Sequence, residues 1–144
     1  MAADNDSRPH VLCVNDTREI LDLLWELLEG EGYRVTTSMV LLDLDKTKAV
    51  APDVIVQDIM FEGNQEPGWK YLLLARLDPE LARIPVVLCT GATTMVHDER
   101  MAAHLDRLGV RVVLKPFNIE DLLTALREVL AAQELIEQAL DGEG

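Results

Sequence analysis

The run from Pro52 to Met60 limits the fold of this chain more than any other stretch. Pro52-Asp53 reads as a turn, Val54-Ile55-Val56 is β-branched throughout, and Gln57-Asp58 closes the run with polar side chains. A continuous apolar run this short, with polar boundaries, is the pattern of a strand covered on both faces of a parallel sheet. Val11 to Val14 repeats it and ends at Asn15-Asp16, Pro85 to Cys89 ends at Thr90-Gly91, and Val110 to Leu114 ends at Lys115-Pro116-Phe117. Tyr33 to Thr37 is less apolar and reads as an edge strand.

Helical periodicity fills the gaps between these runs. Ile20, Leu23, Leu24, Leu27 and Leu28 lie on one helical face, with Asp16 or Thr17 as N-cap and Gly30 and Gly32 as the stop. Met39 to Val50 gives a weaker helix, whose Asp43, Asp45, Lys46 and Lys48 make a solvated face. Phe61 to Gly68 is a loop by composition, and a helix is expected from about Trp69 to Leu77. Further helices are expected over roughly Val96 to Leu108, stopped by Gly109, and from Ile119 to about Leu140, capped by Asn118 with Asp121 three residues on.

Five strands alternating with five helices mean an α/β fold around a parallel sheet, with right-handed crossovers covering both faces. The flavodoxin-like, doubly wound (βα)5 order 2-1-3-4-5 has its switch point between strands one and three, which sets Asp16 and Asp58 side by side at one crevice. The 144 residues fit one domain, expected over 10–140, with 1–9 a disordered leader and 141–144 a flexible tail. A formal charge of −13 repels phosphate backbones and anionic membranes, so direct nucleic-acid or membrane binding is not expected. No run is long enough to span a membrane and the first ten residues have no signal-peptide core, which points to a cytoplasmic protein. Cys13 and Cys89 read as free core thiols, and His97 and His104 lack companions for a zinc set. No Gly-rich phosphate loop follows the first strand, which argues against a dinucleotide site.

Two carboxylates (Asp16 and Asp58), a hydroxyl (Thr90) and an ammonium (Lys115) thus stand at the carboxyl ends of four strands. Carboxylates and phosphate oxygens are how a water-keeping Mg²⁺ ion is usually held, and a lysine can neutralise phosphoryl oxygens. Phosphoryl transfer needs little more than such positioning and charge, and a carboxylate can itself be the nucleophile.

In Val14-Asn15-Asp16, Pro52 to Asp58, Val87 to Ala92 and Lys115-Pro116-Phe117 the chain resembles the response-regulator receiver domains of two-component signalling, over about His10 to Leu130. The resemblance implies a stand-alone receiver with Asp58 as phosphoacceptor. The donor would be a sensor histidine kinase or phosphotransfer protein, and output would run through a downstream protein target. It implies Mg²⁺ held by Asp16, Asp58 and the backbone carbonyl of Met60, with Thr90 and Lys115 bonding the phosphoryl group and a cis Lys115-Pro116 bond. Such a protein is no enzyme in the general sense, since it catalyses only its own phosphorylation and dephosphorylation.

Three departures bear on this. Asn15 stands where the family usually has an aspartate that meets the metal through water, and reads either as a tuned ligand of that kind or as a turn former. Val112 occupies the place of the usual switch aromatic, and the loop after Asp58 is two residues longer, with Glu62 for the usual proline. Asn15 and Val112 leave open an alternative, a receiver-like docking module that no longer takes phosphate. A flavin-binding reading is the remote third. At 1.5 Å per residue the last helix is about 33 Å long against about 17 Å for a strand, so Leu135, Ile136 and Leu140 extend an apolar stripe past the sheet. That overhang is expected to form an interface, with another subunit to give a homodimer or with a partner helix, the alternative being that it merely frays.

Overall fold

A computed structural model describes residues 7–58, 66–90, 103, 105, 107–114 and 119–143, with backbone alone for 66–69, 90, 114 and 136–143. Five parallel strands, β1 (His10–Val14), β2 (Arg34–Ser38), β3 (Val54–Asp58), β4 (Val86–Thr90) and β5 (Val110–Leu114), pair in the order β2-β1-β3-β4-β5. The expected topology is the observed one, with β2 at an edge. Four α-helices are described: α1 (Arg18–Gly30), α2 (Leu44–Val50), α3 (Glu66–Leu77) and α4 (Ile119–Glu143). Residues 103, 105 and 107 are also helical, while the rest of the stretch expected as a helix over 96–108 lies mostly outside the described residues.

Side chains alternate across the sheet as the pleat requires. Val11, Cys13, Val54, Val56, Val87, Cys89 and Val113 meet Leu21, Leu24 and Leu28 of α1 and Leu122, Leu123 and Leu126 of α4. Leu12, Val14, Ile55, Val86 and Leu88 face the other way, toward Leu72 of α3 and Leu105. Both faces are therefore dry, as the continuous apolar runs predict. Cys13 and Cys89 are free and buried, with β3 between their strands. Burial pushes the Cys13 thiol up to about 12.

Several local expectations need correction. In α1 the buried residues are Leu21, Leu24 and Leu28, while Ile20 and Leu23 are 38% and 55% exposed. Seven of its residues from Ile20 to Leu28 are large and apolar, more than a stripe of about 100° can hold, so periodicity alone selected the wrong edge of that stripe. The second helix begins at Leu44 rather than Met39. Asp43 is its N-cap, its Oδ1 accepting the Lys46 N–H at 2.8 Å. Ahead of it the Ser38 hydroxyl donates to the Val40 carbonyl at 2.6 Å, a local turn that competes with helix.

The third helix begins at Glu66, not Trp69. Pro67 reads as loop by composition, but the first helical turn has no intrahelical use for its missing N–H. Residues 141–143, expected in a flexible tail, continue α4. Residues 7–9, expected in a disordered leader, are tied down. The Arg34 N–H donates to the Pro9 carbonyl at 2.9 Å, and the Arg8 guanidinium meets the Glu29 carboxylate at 3.2 Å. Leu135 of α4 is exposed, and the side chains of Ile136 and Leu140 lie outside the described residues.

At the amino ends of β4 and β5 a buried cation closes the structure. Arg76 of α3 sends its guanidinium to the carbonyls of Leu108 at 2.9 Å, Leu81 at 2.8 Å and Ile84 at 2.7 Å. Burial pulls that guanidinium below its ordinary value. The clamp joins α3, the short 3₁₀ turn Leu81–Arg83 and the turn that enters β5. Gly109 in that turn has φ +79, which a side chain would strain.

Candidate functional site

The carboxyl edge of the sheet is where ligands sit in open α/β folds, and the ladder registers bring the sequence-derived residues there. Val14 pairs with Gln57, so one rung further Asn15 stands beside Asp58. On the other side Asp58 pairs with Cys89, and Thr90 pairs with Leu114, the residue before Lys115. Asp58 therefore ends a central strand between Asn15 and a thiol, and only 5% of it is exposed. Its place in the alternation directs it to the side of the sheet that carries α1 and α4.

Asp16 follows one residue beyond Asn15 and is partly exposed. The Thr17 hydroxyl lies 3.4 Å from its Oδ1. Asn15 is buried, its N–H donates to the Ser38 carbonyl at 3.1 Å, and its Oδ1 accepts the Thr17 N–H at 2.9 Å. That last bond is an Asx turn at the N-terminus of α1, where Thr17 offers no side-chain cap of its own. Between the two roles open to Asn15, the turn-forming one is thus seen directly.

Thr90 is the last residue of β4, and its side chain lies outside the described residues, as do Met60 and Lys115 altogether. Val112 of β5 pairs with Leu88 of β4 and is partly buried. Residues 59–65, which include most of the stretch expected as a loop from Phe61 to Gly68, also fall outside the described residues.

Sequence reasoning missed what surrounds Asp58. A half-open cleft of about 540 Å³ runs from the strand ends to the groove between α1 and the first residue of α4. Ile20, Leu23 and Leu27 of α1 and Ile119 of α4 line it, and Asn15 and Asp58 supply its polar atoms. The only sequence signal was the surplus of apolar residues on α1.

The sequence profile of the response regulator receiver domain matches residues 11–127. The chain belongs to the response-regulator receiver family. It is 29% identical to hybrid signal transduction histidine kinase D of Dictyostelium discoideum, over 93% of this chain and 8% of that protein. It is 30% identical to the DNA-binding dual master transcriptional regulator RpaA of Synechocystis, over 91% of this chain and 53% of RpaA. The receiver thus spans a small part of the first relative and about half of the second. The chemotaxis response regulator CheY4 of Vibrio cholerae superposes with a TM-score of 0.67 at 25% identity, covering 85% of this chain and 99% of CheY4. Among the described residues, no helix is long and apolar enough to cross a membrane.

Among those residues no three His, Cys, Asp or Glu side chains gather as a metal site. Asp16 and Asp58, at the ends of adjacent strands, nonetheless suit Mg²⁺, which takes one or two carboxylates and keeps several waters.

Proposed function

We propose that Asp58 accepts a phosphoryl group from the phosphohistidine of a sensor histidine kinase or phosphotransfer protein, and that the phosphorylated receiver signals in the cytoplasm through a downstream protein partner. The observation that carries this reading is the placement of Asp58: buried at the end of a central strand, beside Asn15 at the end of the neighbouring strand, with Asp16 the next residue. A carboxylate oxygen of Asp58 attacks phosphorus, the phosphorus–nitrogen bond breaks, and its electron pair returns to the imidazole. The product is an acyl phosphate on Asp58. Asp16, Asp58, the Met60 carbonyl and, through water, Asn15 are the groups that would hold Mg²⁺. When bound, Mg²⁺ would offset the charge gathered on the phosphoryl oxygens. Thr90 and Lys115 are assigned to the same oxygens, as hydroxyl donor and cation.

Burial serves this chemistry. A carboxylate inside a low-dielectric rim interacts strongly with nearby charge. The partly exposed Asp16 keeps a path to water for an incoming ion. A second reading, constitutive docking without phosphate, is favoured by one observation: the Asn15 Oδ1 is already committed to the Thr17 N–H. Intact-mass measurement after incubation with Mg²⁺ and acetyl phosphate separates the two. The proposal expects one added phosphoryl group, prevented by EDTA and absent from Asp58→Asn. No adduct, together with no Mg²⁺ binding by calorimetry, supports docking alone.

A further inference from the structure

β2 forms the edge of the sheet opposite β5, and among the described residues no strand follows it there. The Arg34 N–H donates to the Pro9 carbonyl and the Ser38 carbonyl accepts the Asn15 N–H, so residues 34, 36 and 38 turn their backbone groups to β1. Val35 and Thr37 turn theirs outward. Glu29 Oε2 accepts the Val35 N–H at 3.3 Å, which leaves the Val35 carbonyl and both groups of Thr37 along the edge. Edge strands are commonly blunted by lysine or proline, and β2 has neither. The same Thr37 opens onto a hollow of about 460 Å³ whose other walls are Asp22, Trp25 and Glu26 of α1. Trp25 is 49% exposed. Asp22 and Glu26 are exposed too, and among the described residues neither is ion-paired. An indole beside two carboxylates suits a guanidinium, which stacks on aromatic rings and bonds carboxylates through its planar fork. Residues directly opposite on neighbouring strands share a face, so a residue paired with Thr37 projects to the side that carries Trp25. Strand edge and hollow thus address one ligand, and a formal charge of −13 selects a basic one.

We infer that β2 is a docking edge for an extended basic segment of a partner protein, which adds as a further strand and places an arginine opposite Thr37, against Trp25. The segment's main chain supplies the bonds to Val35 and Thr37, and its arginine supplies the selection. A second copy of this chain is the wrong occupant, because pairing β2 with β2 sets one acidic hollow against another. Docking here does not depend on phosphoryl transfer, since β1 lies between β2 and the strand that carries Asp58.

The test uses the full chain and two matched probes, the peptide acetyl-Thr-Val-Arg-Val-Thr-amide and the same peptide with glutamate in place of arginine. Binding is read from NMR amide shifts, and strand addition from hydrogen exchange at the Thr37 N–H. The arginine peptide is expected to bind saturably in the millimolar range or below, and at least about tenfold more tightly than the glutamate peptide. Shifts should centre on Trp25, Val35 and Thr37, and the Thr37 amide should exchange at least about fivefold more slowly at saturation. Trp25→Ala, at an exposed position, should weaken the arginine peptide about fivefold. Asp22→Asn combined with Glu26→Gln should bring the two peptides within about twofold of each other. Thr37→Pro removes the edge donor and should weaken the arginine peptide as well. Should that variant fail to fold, the two peptides and the exchange rate still decide. Equal affinity for the two peptides, shifts centred elsewhere, or no saturable binding each overturn the inference. So does binding that leaves Thr37 exchange unchanged, which is charge attraction without a strand. Dimerisation of the free chain in sedimentation, lost in Thr37→Pro, assigns the edge to a second copy and overturns it too.

Discussion

The two edges of the sheet handle polar groups in opposite ways. At the amino edge, Arg76 is a buried cation with its guanidinium on three backbone carbonyls within 2.9 Å, two from the turn just after α3 and one from the turn that enters β5. At the carboxyl edge, Asp58 is a buried anion facing a half-open cleft, with Asn15 and Asp16 close by. A guanidinium spread over backbone carbonyls makes a fastening. A carboxylate at the edge of a cleft stands where a reactant can reach it. The receiver keeps one of each, on the same layer of strands.

If that contrast is right, the largest effect on activity comes from the carboxyl edge and leaves stability almost untouched. Asp58→Asn should abolish the phosphoryl adduct entirely, while the urea midpoint moves by no more than a few tenths molar. The amide has the shape of the carboxylate and removes charge from a crowded acidic rim. A large loss of stability in Asp58→Asn would show that Asp58 is itself a fastening.

Arg76→Met should do the reverse. Methionine keeps much of the apolar stem but strands the carbonyls of Leu81, Ile84 and Leu108. Removing a buried charge from bonded partners costs about 3 kcal/mol or more. We expect a loss of about that size in urea unfolding, with adduct formation on Asp58 retained under conditions where the variant is folded. Hydrogen exchange should rise first around 81–84 and 108–110. A loss below about 1 kcal/mol would mean that water replaces the guanidinium and that the amino edge is less closed than its distances indicate.

The sequence showed these two edges unequally, for a physical reason. The carboxyl edge was legible because strand ends converge once the order 2-1-3-4-5 is known, so Asp16 and Asp58 could be placed from the apolar runs alone. Arg76 could not. An arginine in a helix reads as a surface charge, and its carbonyl partners come from turns that only the folded chain brings together. The cleft was hidden for a related reason. Period 3.6 marks α1 as amphipathic, but its crowded apolar side leaves open which row meets the sheet. The periodic face includes Ile20 and Leu23, but Leu21 is the residue that is buried. Helix starts at Leu44 and Glu66 were missed where local chemistry decided them, an Asp43 cap in one case and a proline tolerated in a first turn in the other.

Asn15 offers a smaller and sharper test of the carboxyl edge. An aspartate there can keep the bond to the Thr17 N–H, since it too caps helices, and adds a charge close to Asp16 and Asp58. Asn15→Asp should tighten Mg²⁺ by about 1–2 kcal/mol, near tenfold, read by calorimetry. Without metal the extra repulsion should lower the melting temperature slightly, and Mg²⁺ should restore it. An unchanged Mg²⁺ affinity would place residue 15 outside the metal's reach and leave its turn bond as its whole role.

The smallest effect belongs to a charge pair that lies near the clamp and differs from it in kind. The Lys48 ammonium sits 2.8 Å from the Asp78 carboxylate, joining α2 to the segment after α3. The hydrogen bond from Lys48, and next the Leu81 N–H, hold the Asp78 carboxyl below its usual value of 3.8. Because the folded value lies below the unfolded one, its contribution to stability is fully present above about pH 4. It is lost as pH falls through the lowered folded value. Lys48 is shifted upward by the same bond, so its share is present below its usual 10.5 and lost at more alkaline pH. The melting temperature of Lys48→Met should therefore trail the parent by a small constant amount across neutral pH. The gap should close in acid below pH 4, and should also narrow in high salt, because the pair is partly exposed and screened. The gap for Arg76→Met should persist down to the same acid pH, since its partners are carbonyls that take up no proton. Parallel closure of both gaps would mean that Arg76 also depends on a carboxylate, and the fastening would then be electrostatic rather than a set of bonds to the backbone.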